Sequence, residues 1–172
     1  MTKRSNTFIT LIFALLIVAC NDGNLGVETI RFDNSDVLSC KSDTTATFLF
    51  KYNAQQALIL ELPKDVLENK EKSVTGKIAS DYKMYYRTFS EAVNTSYFCA
   101  DYPPTMPSVV SQFQATGGNI SIVTKPIYNE TTQELLRYDH LITITDLVIL
   151  NADGNKIVDS DFIFGTYKTK RE

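Results

Sequence analysis

Cysteines are the residues with the clearest chemical potential in this 172-residue chain. Cys20 directly follows a run of twelve uncharged residues from Phe8 to Ala19, and Lys3 and Arg4 precede that run. A positive start and a short apolar run are typical of a secretory signal. A membrane-spanning helix takes roughly 20 apolar residues, so this run is too short to be one. The thiol of Cys20 therefore stands where an exported chain is expected to be cut.

Leu16, Val18, Ala19 and Cys20, at the end of the apolar run, resemble the cleavage motif of bacterial lipoprotein precursors. The resemblance implies that residues 1–19 are a signal peptide and that a diacylglycerol is attached to Cys20 through a thioether. It also implies a third acyl chain on the new amino group. Two or three acyl chains anchor a protein stably, whereas one does so only marginally. We expect a mature protein bound to the membrane through acyl chains on Cys20, with an uncleaved anchor or a buried structural cysteine as the alternative.

Residues 20–26 are interpreted as a lipidated flexible tether, because Asn21-Asp22-Gly23-Asn24 is polar and typical of turns. Asn21 rather than Asp follows the cysteine, and by analogy with lipoprotein sorting this favours the cell outer membrane. Acidic residues just after the cysteine are typical of the export signal of surface lipoproteins in the Bacteroidetes group. Asp22 alone resembles that signal only in part. The periplasmic and the surface face of the outer membrane both stay open.

Cys40 and Cys99 form an even pair once Cys20 is assigned to lipid. In an oxidising compartment such a pair predicts a disulfide. The bridge would close a loop of about sixty residues and contribute about 4 kcal/mol in the chain-entropy model. A redox or metal pair is the weaker alternative, because the spacing is not Cys-x-x-Cys and no histidine is near in sequence.

Charge and motif content exclude several classes of function. After removal of the signal, 15 Lys and Arg face 20 Asp and Glu, which gives a formal charge of −5. No basic cluster is present, so we expect no nucleic-acid partner. The sequence also lacks Gly-x-Ser-x-Gly, His-Glu-x-x-His and a glycine-rich phosphate loop. We therefore expect a non-enzymatic protein with no catalytic residue, no cofactor and no metal.

Two weaker chemical signals lie near the end of the chain. His140, the single histidine, stands beside Asp139, but the sequence identifies no nucleophile for a catalytic dyad. Asp153, Asp159 and Asp161 surround a hairpin signal, and carboxylates can hold a hard cation. Gly154 is misplaced for a calcium-binding loop of the EF-hand kind. A turn is a sufficient explanation for these carboxylates.

The elements that must position these residues are mostly strands. Alternating apolar residues and turn signals predict three hairpins, around residues 53–56, Gly117-Gly118 and 151–155. A short helix or turn is predicted at 63–75 and a short strand at 97–99. We expect an all-β, antiparallel β-sandwich of about eight strands and of the immunoglobulin-like kind, forming a single domain over residues 27–172. A barrel is the alternative.

Aromatic residues supply the candidate binding surface. The chain has nine Tyr and ten Phe but no Trp. The candidate ligand-binding residues are Tyr82, Tyr85, Tyr86 and Tyr102. The first three, with Tyr97, could stack on sugar rings, although the lack of Trp weakens that interpretation. Tyr102 and Met106 belong to a Pro-rich segment that is either a rigid crossover or a loop presented to a partner.

Two function classes follow from these features, and a purely structural envelope component stays open as a third. The preferred one is a cell-envelope lipoprotein whose β domain binds an envelope protein or a surface polysaccharide. The alternative is a glycan-binding accessory lipoprotein of a nutrient-uptake system. Separately, Asp43-Thr44-Thr45 resembles the acceptor pattern for O-linked glycans in secreted Bacteroidetes proteins, and an ordinary turn explains the same three residues.

Overall fold

The computed structural model describes Phe32 and residues 35–102, 104–151, 154 and 156–170. The predicted signal peptide, Cys20 and the tether lie outside these residues. Strands make up 59% of the structure, and the described residues contain one short helix. The prediction of an all-β, antiparallel protein is confirmed.

Seven strands and one helix follow one another along the described part of the chain. They are β1 (Phe48–Asn53), β2 (Gln56–Glu61), β3 (Lys72–Lys77), β4 (Lys83–Phe89), α1 (Thr95–Cys99), β5 (Val109–Tyr128), β6 (Leu135–Leu150) and β7 (Lys156–Lys170).

All strand pairs are antiparallel, in the order β1-β2-β4-β5-β6-β7, and β3 also pairs with β5. The sheet curls into a half-barrel. β5 pairs with β4 near its start, up to Gln114, and with β3 from Asn119 to Thr124. We therefore call β1, β2 and β4 the first half of the sheet and β3, β6 and β7 the second half, with β5 belonging to both.

The hairpin predicted at Gly117-Gly118 is wrong, because β5 continues through both glycines. The pairing of β5 with β6 shifts register on either side of Gly117, which marks an irregularity of the β-bulge type. Gly118 has a φ of +141°, and a Cβ there would lie 2.9 Å from Cγ2 of Ile144. The glycine pair thus permits an irregular stretch inside one long strand rather than a reversal of the chain.

The other two predicted hairpins are confirmed. β1 and β2 pair from Phe48↔Glu61 to Asn53↔Gln56, which leaves two residues for the turn. β6 and β7 pair over most of their length, from Leu150↔Lys156 to Arg137↔Lys170. In both cases the strands are adjacent in sequence, so the local pattern was sufficient to predict the pairing.

One core lies on the inner face of the curled sheet and takes side chains from both halves. The first half contributes Leu49, Leu58, Leu60 and Met84, all at 0% exposure. The second half and β5 contribute Ile120, Ile122, Ile142, Ile144, Phe162 and Phe164, none more than 8% exposed. Val66 and Leu67 add to this core from an irregular segment that has a turn at its start. The short helix or turn predicted at 63–75 is confirmed only as this turn, because the range ends in β3, which begins at Lys72.

The outer face of the first half is covered by α1, where a short strand was predicted. Asn94 caps this helix, since its Oδ1 accepts a hydrogen bond from the backbone N of Tyr97 at 3.3 Å. Phe98 of α1 stacks on Phe50 of β1 with ring centroids 4.4 Å apart. The predicted disulfide is confirmed: Cys40 and Cys99 are bonded, with Cα atoms 5.3 Å apart. The bridge ties the end of α1 to the segment before β1.

Candidate functional site

The four candidate ligand-binding tyrosines do not form one surface. Tyr82 and Tyr86 are buried in the core, at 3% and 4% exposure. Tyr85 lies on the opposite face of β4 and is half-buried. Tyr102 is 86% exposed in the segment before β5. The structure therefore does not assemble the aromatic platform that a glycan-binding interpretation needs.

The two buried tyrosines pack as core residues. The ring of Tyr82 lies directly against Gly76, where an added methyl group would overlap it. Burial raises the pKa of Tyr82, and the nearby Asp81 carboxylate raises it further. Tyr86 stacks on Phe113 of β5, with ring centroids 6.4 Å apart. Both side chains fill the inner face, where a sugar has no access.

The loop after α1 and the first two residues of β5 present apolar side chains to solvent. We call residues 101–110 the apolar loop, of which Pro103 lies outside the described residues. Its exposed large side chains are Tyr102 at 86%, Met106 at 56%, Val109 at 45% and Val110 at 67%. Contiguous patches of exposed apolar side chains mark interaction sites, and these four exposed residues lie within nine positions of the chain.

Fixed points hold both ends of the apolar loop. At one end, the Cys40–Cys99 bridge stands two residues before the loop. At the other, the backbone N of Ser90 donates to the carbonyl of Ser108 at 2.9 Å, and the backbone N of Ser108 donates to Oγ of Ser90 at 3.0 Å. The apolar loop is therefore attached near both of its ends to the first half of the sheet and the segment before it.

Comparison with known proteins gives no family for this chain. No protein-family model, no curated protein and no solved structure matches it. Function must therefore be argued from the site geometry.

His140 is a buried structural residue, not a surface group. It is 0% exposed and lies between two threonines, with Nδ1 2.8 Å from Oγ1 of Thr124 and Nε2 2.9 Å from Oγ1 of Thr169. Thr169 donates its hydroxyl proton to Oδ1 of Asn69 at 2.6 Å, so the threonine accepts from Nε2–H of His140. The network assigns the neutral Nε2–H tautomer. Burial lowers the pKa of His140 to about 4.

The carboxylates near the last hairpin make local contacts. Oδ1 of Asp159 accepts from the backbone N of Asp161 at 3.0 Å, and Oδ2 of Asp161 accepts from Ser160. Asp153, the third member of the set, lies outside the described residues. Within the described ranges, no three His, Cys, Asp or Glu side chains gather into a possible metal site. Asp159 and Asp161 lie within β7, paired with Leu147 and Thr145 of β6, so the turn interpretation is wrong for these two carboxylates.

The Asp43-Thr44-Thr45 tripeptide forms a turn before β1. Oδ1 of Asp43 accepts from both Oγ1 and the backbone N of Thr45, at 2.6 and 2.9 Å. These two hydrogen bonds lower the pKa of the Asp43 carboxyl below its usual value. The structure thus contains the turn that was considered for these residues, and glycosylation at this tripeptide stays a prediction.

The lipid-anchor prediction concerns residues outside the described part of the chain. Among the residues that are described, no helix has the length and apolar character needed to span a bilayer. Attachment through Cys20 stays a prediction based on the resemblance.

One feature of the structure was not predicted: a cavity of about 340 Å³ beside β1 and β7. Lys51, one of its lining residues, is only 4% exposed and is the sole buried lysine among the described residues. In the sequence, Lys51 stands two residues after Leu49, and this spacing places both side chains on the inner face of β1. Lysines are rarely buried to this extent, so Lys51 is a candidate site residue.

Proposed function

We propose that this protein is a non-enzymatic lipoprotein of the cell outer membrane, and that its lipid-anchored β domain binds an envelope protein through the apolar loop. The membrane attachment is inferred from the motif ending at Cys20. The exposure of the apolar loop is the observation that carries the binding proposal. A surface polysaccharide is the less favoured partner, because the exposed loop residues include one aromatic side chain.

Composition and position both support protein binding. Tyr and Met are enriched at protein interfaces, where a flexible thioether adapts to the partner and a tyrosine ring supplies a large rigid contact. In the apolar loop these two residue types stand beside Val109 and Val110, all at least 45% exposed. Such side chains gain free energy by leaving water, at roughly 25 cal/mol per Å² of apolar area.

The finer fold type is also a proposal. We infer that the half-barrel is a form of β-sandwich, of the immunoglobulin-like kind, because both halves of the sheet contribute to one inner core. Sheets stacked in a sandwich lie about 10 Å apart. An experimental structure in which the halves face each other at that spacing would support this type, and a closed strand order would support a barrel instead.

Photo-crosslinking tests the binding proposal. A photoreactive residue replaces Tyr102 in one variant and Val158 in a matched control, which is 56% exposed on β7. After irradiation of intact cells, we expect a defined protein adduct from position 102 alone, and Met106→Ser with Val110→Ser should abolish it. The proposal fails if position 102 gives no adduct, or if both positions give the same one.

A mass measurement tests the anchor independently. We expect the protein from native membranes to begin at Cys20 and to carry the mass of its acyl chains. Cys20→Ser should leave the signal peptide uncut and abolish lipidation. Normal processing of that variant together with continued membrane attachment would overturn the lipoprotein assignment without affecting the crosslinking result.

A further inference from the structure

The cavity beside β1 and β7 has charged groups of both signs on its wall. Lys51 comes from β1, Lys168 from β7 and Asp36 from the segment that precedes β1. Lys51 is almost fully buried, whereas Lys168 and Asp36 are exposed at the rim. Two ammonium groups and one carboxylate give these described lining residues a formal charge of +1.

Gly165 shapes the space in front of the buried ammonium. A Cβ on this residue would lie 3.7 Å from Nζ of Lys51 and 2.7 Å from Cγ2 of Val37. Gly165 also has a φ of +131°, which a residue with a side chain rarely adopts. Glycine therefore fits both the close approach of Val37 and the positive φ, and residue 165 places no side chain beside the lysine head group.

An ammonium group can serve a ligand and a protein acceptor at once, because it has three N–H donors. Thr166 lines the same wall. A volume of about 340 Å³ falls within the range of small-molecule sites, roughly 300–1,000 Å³. The wall thus offers charge, hydrogen-bond donors and room for a compact organic molecule.

We propose that this cavity binds a small organic ligand through its carboxylate, with Lys51 at the floor and Lys168 at the rim. The single net positive charge fits a singly charged carboxylate better than a doubly charged phosphate. The site goes beyond the proposed function, since it involves neither the acyl chains nor the apolar loop. Binding here would place a small molecule between an end strand of each half of the sheet.

An NMR titration with acetate tests the proposal on the folded domain. Amide signals of Gly165 and Thr166 should shift on adding acetate at constant ionic strength, and acetamide should leave them unmoved. Lys168→Met should weaken acetate binding about three- to fivefold, the range expected for an exposed charge. Lys170→Met is the matched control, because this exposed lysine of the same strand does not line the cavity.

The floor lysine is tested with Lys51→Met, which should abolish the acetate shifts while circular dichroism shows a folded protein. If that variant does not fold, the paired Lys168 and Lys170 variants still decide. The proposal is overturned if acetate leaves Gly165 and Thr166 unshifted, or if the Lys168 and Lys170 variants bind acetate equally. Tighter binding of inorganic phosphate than of acetate would overturn the carboxylate assignment.

Discussion

The two halves of the sheet differ in how many faces are covered. In β2 of the first half, Ala57, Leu58, Ile59 and Leu60 are all at most 1% exposed, so both faces of the strand are buried. In β6 of the second half, Ile142 is at 0% but its neighbour Leu141 is 43% exposed. A continuous apolar run thus marks a strand covered on two sides, and alternation marks one covered on a single side.

The cover over the first half is small and depends on few contacts. It consists of α1 with Phe98 and Tyr97, which pack on Phe50, Tyr52 and Phe89. A five-residue helix is too short to be stable alone in water. Its aromatic contacts and the Cys40–Cys99 bridge therefore hold it in place.

Truncation of Phe50 should have the largest effect. Phe50 is 0% exposed beneath α1, so Phe50→Ala should lower the free energy of unfolding by about 3–5 kcal/mol through lost contacts and a cavity. Ile163→Ala, at an outer-face position that is 64% exposed, should cost less than about 1 kcal/mol. Urea unfolding of the two variants measures both values. Equal losses would contradict the difference between the halves.

Removal of the disulfide should cost nearly as much. The bridge joins residues 59 apart in sequence, and a loop of that length corresponds to about 4 kcal/mol in the chain-entropy model. Urea unfolding of the Cys40→Ala, Cys99→Ala double variant measures this loss. Limited proteolysis should then cut first near α1, because the helix loses its covalent tie. First cleavage in β6 or β7 would show that the cover does not depend on the bridge.

Acidification should destabilise the second half through His140. Burial lowers the pKa of His140 from its ordinary value of 6.5 to about 4. Between these values the unfolded chain binds the proton and the folded chain does not, so stability is full above about pH 6.5 and falls as the pH falls. From about pH 7.5 to about pH 5 the expected loss is about 2 kcal/mol.

His140→Gln is the control for this pH dependence, because glutamine does not titrate and can still bond to a threonine hydroxyl. Two neighbouring charges shift the pKa of His140 in opposite directions: Asp139 raises it and Lys72 lowers it. Urea unfolding at both pH values should show a smaller loss for the variant than for the native protein. An identical loss in both would assign the acid effect to other groups.

Local patterns in the sequence predicted the all-β class and two hairpins correctly, since β1 with β2 and β6 with β7 are neighbours along the chain. The short strand predicted at 97–99 is wrong, because these residues belong to α1. The partners of β5 could not be predicted in this way. Paired glycines permit both a tight turn and a bulge, and the choice at Gly117-Gly118 depends on pairing with β3, β4 and β6. That information is distant in sequence.

Candidate site residues were harder to predict for a related reason. Tyrosine suits both a core and a wet surface, so the even spacing of Tyr82 and Tyr86 indicated a shared face but not which face is buried. The Pro-rich segment left a rigid crossover and a presented loop open, and the structure places Tyr102 at 86% exposure. The cavity was missed because it unites Lys51 with Lys168, which are remote in sequence.

The irregular stretch of β5, where this strand changes from one half of the sheet to the other, should give the smallest change in stability. Gly118→Ala should lower the free energy of unfolding by about 1–3 kcal/mol, because alanine is strained at this φ and its methyl group would meet Ile144. Gly117→Ala is the matched control: its Cβ would meet only Val148, at an ordinary 4.0 Å. Urea unfolding compares the two variants. If both lose the same stability, the irregular stretch tolerates a side chain at Gly118, and the glycine pair does not determine how one strand serves both halves.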